Sequence, residues 1–130
     1  MEQNIFNHDT DVDVVHKYNS VELKSWMNQL EYIDSEIDKL LNLYANSIQD
    51  KEIPQNTLQL FSKRKEANKK LYQTVIAYAI TYDKASECDD IQCDMAYLSE
   101  FERLRKSCQY HLERYRKLKD SLYDEALSRY

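Results

Sequence analysis

Apolar residues recur every seven positions through residues 23–48, with Leu23, Leu30, Ile37 and Tyr44 in one column and Trp26, Ile33 and Leu40 in a second. This is the a/d seam of a heptad helix. Met27, Leu41 and Ile48 add a third column at position e, which widens the seam into a face suited to the inside of a bundle. Asn19, with Glu22 three residues on, spells a capping box and predicts the start of the first helix. Pro54 lacks a backbone donor and biases Ile53 away from helical geometry, so the helix is expected to stop in a turn at 50–56.

A second helix opens at Asn56, with Gln59 as its reciprocal cap. Its columns are Phe61, Asn68, Val75 and Tyr82 at one heptad position and Arg64, Leu71, Tyr78 and Ala85 at the other. A third carries Phe101, Cys108, Tyr115 and Leu122 beside Tyr97, Leu104, His111 and Leu118. Residues 86–94 contain neither Gly nor Pro, yet the heptad phases on either side do not match, and a continuous helix would turn its apolar face away from its partner. A short turn around 87–90 is therefore expected, with Asp89 and Gln92 as the start signal of the third helix. Two short connections between long helices favour antiparallel neighbours. The predicted fold is all-α: an antiparallel up-down-up three-helix bundle with coiled-coil-like heptad packing. It occupies residues 20–130, with helices at about 20–50, 56–87 and 90–128. Residues 1–19 are expected to form a flexible acidic arm, partly ordered at best. With Trp26 in its first helix, the pattern resembles a spectrin-like repeat in outline, which implies architecture and no partner or site.

Composition narrows the function classes. The chain has 130 residues, no Gly, one Pro and 32% charged residues, which suits long helices and excludes a Gly-rich phosphate loop. The longest apolar run, residues 75–80, is far short of the ~20 residues that cross a bilayer. The first residues hold no apolar signal core, so a cytoplasmic location is expected and no membrane partner. Cys88, Cys93 and Cys108 are an odd set with neither zinc-knuckle nor redox spacing, and are read as free thiols. Asp11, Asp13 and His16 carry metal-ligand chemistry, but no second cluster or rigid frame supports them, and a solvated tail is the favoured reading. There is no Glu-x-x-His pair on a helix and no spelled-out Ser-His-Asp set. No catalytic, cofactor-binding or metal-binding residue is assigned, and no cofactor is expected.

The net charge is −5, unevenly spread, with residues 63–70 strongly basic. Antiparallel pairing sets them level with Asp38 on the first helix and with residues 105–114 on the third. A basic girdle of Lys63, Lys65, Lys69, Lys70, Arg105, Lys106 and Arg114 follows. Its favoured role is pairing with Glu31, Asp34, Glu36 and Asp38; its sharper one is anion or nucleic-acid binding, and the acidic total argues against nucleic acid. Glu22, Asp83, Glu87, Asp89, Asp90 and Asp94 gather at one end as an acidic pole. Asn68 and His111 fall on core columns and predict a buried polar layer that fixes register. Eleven tyrosines are present, of which Tyr32, Tyr110 and Tyr123 fall on outer positions. With Asp34, Glu36 and Asp38 they are candidate partner-binding residues. The leading expectation is a non-enzymatic protein–protein interaction or self-association module. The alternative is a small acidic inhibitor or immunity-type protein that blocks a basic site on its partner.

Overall fold

A computed structural model describes residues 8–47, 55–88 and 90–127. The described residues form three α-helices, α1 (His8–Ser47), α2 (Gln55–Tyr82) and α3 (Ile91–Leu127), with a 3₁₀ turn at Asp83–Glu87 after α2. The predicted turn at 50–56 with Pro54 falls largely outside the described residues, as do Ile48, Asp89 and the side chains of Asp11, Asp13, Tyr44 and Ala85.

Many of the predicted column residues are buried. Leu23, Trp26, Leu30, Ile33, Ile37 and Leu40 of α1 are buried, as are Phe61, Asn68, Val75 and Tyr82 of α2. On α3 the buried set is Phe101, Leu104, Cys108, His111, Tyr115 and Leu122. Side-chain contacts pair Asp38 with Lys65, Leu30 with Asn68 and His16 with Tyr82, so numbers fall on α1 as they rise on α2. Those between α2 and α3, Arg64 with His111 and Tyr78 with Tyr97, also run in opposite directions. The α1–α2 seam is the most extensive and the α1–α3 seam the sparsest.

The core has two apolar parts. One gathers Leu23, Trp26, Leu30, Val75, Tyr82, Phe101, Leu104 and Cys108, and the other Ile33, Ile37, Leu40, Phe61, Tyr115 and Leu122. Leu112 packs against both. In the first part Trp26 stacks on Phe101 with ring centroids 5.2 Å apart, and Tyr78 and Tyr82 close around the same Phe101 ring.

Three expectations are corrected. The first concerns the arm, because α1 is already helical from His8 and its interior residues His16 and Asn19 are buried. His16 lies seven residues before Leu23, and Asn19 seven before Trp26, so the seam continues backward through polar residues. Asn19 is therefore no cap, and Glu22 closes no box. The second concerns the start of α3, where the cap is Asp90: its Oδ1 accepts from the Cys93 amide at 2.8 Å. The third concerns the thiols, since Cys88 and Cys93 are joined by a disulfide across this turn, their Cα atoms 5.5 Å apart. Cys108 is the free, buried cysteine, its thiol pushed up to about 12 by burial and then by the Glu22 charge.

Candidate functional site

Asn68 and His111 meet between the two parts of the core. Asn68 is 1% exposed and His111 4%. The Asn68 amide donates to the Leu30 carbonyl at 2.8 Å, and its oxygen lies 2.7 Å from His111 Nε2. Because that oxygen can only accept, Nε2 carries the imidazole proton, which leaves Nδ1 to accept from Arg64 Nη1 at 3.1 Å. Burial, and then the Arg64 charge, push the His111 pKa down to about 4, so the ring is neutral at pH 7. The chain Arg64, His111, Asn68, Leu30 links all three helices, with each ring nitrogen and the carboxamide partnered.

A second network closes the end where α1 begins. Asn19 donates to the Tyr82 hydroxyl at 3.1 Å, and that hydroxyl contacts His16 Nδ1. His16 Nε2 lies 3.2 Å from Asp94. Donors and acceptors close when Tyr82 donates to Nδ1 and Nε2–H donates to Asp94. Beside it, Arg105 grips Glu22 through two bonds of 2.8 and 3.1 Å, also pairs with Glu102, and lies over the Phe101 ring. This Asp-His-Tyr chain has the elements of a proton relay, but Tyr82 is 3% exposed and its hydroxyl is held between Asn19 and His16.

A third hub is Glu36, which receives Tyr115 and Lys119 from α3 and Tyr32 from its own helix. Burial raises its pKa, but the hydrogen bonds from Tyr115 and Lys119, the Lys119 charge and the Tyr32 bond outweigh it, and the net shift is downward. It borders a groove of about 410 Å³ between α1 and α3. Nearby on α1, Asp34 Oδ1 is buried with no hydrogen-bond partner among the described residues.

The predicted girdle divides. Lys65 pairs with Asp38, and Arg105 with Glu22. Lys69, Lys70 and Lys106 are exposed. Lys63 and Arg114 instead line a groove of about 740 Å³ between α2 and α3, together with Arg64 and Lys117. Arg114 lies over the Tyr110 ring at 5.0 Å and bonds its hydroxyl. Of the candidate partner-binding residues, Tyr32, Glu36 and Asp38 are thus engaged inside the chain, Tyr110 is tied to Arg114, and Tyr123 is exposed. The acidic pole is likewise partly engaged: Glu22 holds Arg105, Asp94 meets His16, and Asp90 caps α3.

Among the described residues no three His, Cys, Asp or Glu side chains gather as a metal cluster. No described helix is long and apolar enough to cross a membrane. Comparison with protein-family models, curated proteins and solved structures finds no match to this chain.

What the sequence pattern missed is an apolar stripe on the outside of α1. Val14, Tyr18 and Val21 sit at i, i+4 and i+7, opposite the buried His16, Asn19, Leu23 and Trp26, and are 56, 74 and 66% exposed. Ile80 on α2 and Ile91 and Met95 on α3 are exposed toward the same end of the bundle. The spacing was legible, but only once residues 8–19 are read as helix.

Proposed function

We propose that this chain is a non-enzymatic interaction module that self-associates through the outer face of α1. The observation that carries the reading is the Val14, Tyr18, Val21 stripe. Heptad positions that pack the interior are accounted for on the opposite face, so this stripe is surplus to folding. Three apolar side chains on successive turns give a helix-to-helix contact of the i, i+4, i+7 kind. Tyr18 supplies the large amphipathic side chain typical of interface anchors.

Against the acidic-inhibitor alternative, Glu22, Glu31, Glu36 and Asp38 already hold partners within the chain, so a basic site would have to compete with those contacts. The two readings differ in salt response, because exposed charge contacts weaken as the Debye length shrinks whereas apolar contacts do not. On location, the Cys88–Cys93 bond supports an oxidising compartment over the cytoplasm. Sedimentation across a concentration series at low and high salt tests the proposal. Self-association that persists in high salt and disappears in Val14→Lys/Val21→Lys is expected; a monomer throughout refutes it.

A further inference from the structure

Half-buried cations elsewhere in this bundle are matched with carboxylates. Lys65 has Asp38, Arg105 has Glu22 and Glu102, and Lys119 has Glu36. Arg64 breaks the rule. It is half-buried, and its hydrogen-bond partner is the neutral His111 ring at 3.1 Å. Across the α2–α3 groove stands a second guanidinium, Arg114, whose contacts are the ring and hydroxyl of Tyr110. Neither arginine forms an ion pair among the described residues. Lys63 and Lys117 border the same groove, and its one lining carboxylate, Glu113, lies 3.6 Å from Lys117.

The groove of about 740 Å³ therefore concentrates four cations against one acid in a chain whose net charge is −5. Holding two guanidiniums together without a counter-charge is unfavourable, and an oxyanion between them relieves it. Burial and then the Arg114 charge depress the Arg64 pKa, which reports the same proximity. A guanidinium carries five N–H donors, and His111 occupies one, so Arg64 keeps donors for a ligand while its position is fixed from behind. The groove also has apolar wall in Leu60 and Leu118, and Tyr110 at one side. This combination of paired forks, flanking lysines and apolar wall matches a phosphate joined to an organic group rather than a bare halide or a long polyanion.

We propose that the α2–α3 groove is a binding site for a small organic phosphate, with Arg64 and Arg114 as paired donors to the phosphate oxygens. The site is independent of the α1 stripe, which lies on a different helix. Because bound phosphate offsets the Arg64 charge, it also acts on the neutral imidazole behind it, so the His111 ring resonances report occupancy from within the core.

The test is an NMR titration of the full chain with phenyl phosphate, pyrophosphate and a single-stranded oligonucleotide at low salt. Saturable shifts at groove residues and at the His111 ring are expected with phenyl phosphate, weakening by about tenfold or more in Arg114→Gln. Arg114→Lys keeps the charge and loses the fork, and is expected to weaken binding nearly as much. Arg114 is exposed, so these variants leave the fold intact, and Lys69→Gln, outside the groove, leaves the affinity unchanged. No saturable shift up to about 10 mM ligand overturns the proposal, since that is weaker than a specific site. So does an unchanged affinity in both Arg114 variants. Oligonucleotide binding more than about a hundredfold tighter than phenyl phosphate also overturns it, in favour of a nucleic-acid surface.

Discussion

Replacing the Asn68 and His111 pair with apolar residues of similar size should cost stability one at a time and not together. In Asn68→Leu, the His111 Nε2–H is stranded in the core where it had a 2.7 Å acceptor. A buried donor left unpaired costs about 1 to 3 kcal/mol, offset in part by the added apolar burial. In His111→Phe, the Asn68 oxygen loses its donor and Arg64 loses its acceptor, and a cost of similar size is expected. The double variant strands neither member of the pair. Two bonds to other groups are lost: the 2.8 Å bond to the Leu30 carbonyl, which sits mid-helix and also serves the helix ladder, and the Arg64 bond to His111, whose guanidinium borders the open α2–α3 groove and can turn to water. The double variant should equal or exceed the parent, as apolar replacements of buried polar clusters often do, with a coupling energy of about 1 to 3 kcal/mol. Urea melts of the four proteins measure it. Singles whose costs simply add, with coupling under about 0.5 kcal/mol, would show that the two side chains do not form one closed layer.

The same layer makes a pH prediction. His111 is depressed from 6.5 to about 4 in the folded chain, so between those values the unfolded chain binds more protons. Stability then rises with pH through that window and is lost as pH falls from 6.5 towards 4, by on the order of 3 kcal/mol. The Asn68→Leu/His111→Phe double variant should lack this component in melts at pH 7 and pH 4, and an identical acid loss in both proteins would place the imidazole in solvent. Trp26 is 4% exposed and stacked on Phe101, so Trp26→Ala should cost ~3 to 5 kcal/mol in denaturant melts. A loss below about 1 kcal/mol would put the phase of α1 in error.

Much of the fold was legible because period-seven columns on α2 and α3 name their own buried faces: Phe61, Val75, Phe101, Leu104 and Leu122 are all where the columns place them. The α2–α3 turn could be found from phase alone, although it contains no Gly or Pro. The start of α1 was hidden because its first core positions are His16 and Asn19. Polar residues at a and d sites carry no apolar signal, and their partners Tyr82, Asp94 and Arg105 are brought in from the other helices. The Cys88–Cys93 bond was hidden for a different reason: spacing does not reveal how a turn folds back. The polar layer was legible because Asn68 and His111 interrupt otherwise apolar columns at levels that antiparallel pairing brings within a turn of each other. What charge counting could not separate was cations with carboxylate partners from those without. Lys65 and Arg64 are neighbours in sequence, yet one faces Asp38 and the other faces His111 and Arg114.

The Asn68–His111 layer of this bundle is partnered from within, and the exposed α1 stripe is proposed as its working surface. Sedimentation velocity of the parent and of Val14→Lys/Val21→Lys, over a concentration series at low and high salt, tests it most directly. A reversible assembly that survives high salt is expected in the parent, and a folded monomer in the variant. A parent that stays monomeric at every concentration, or an assembly that the two lysines leave untouched, would contradict it.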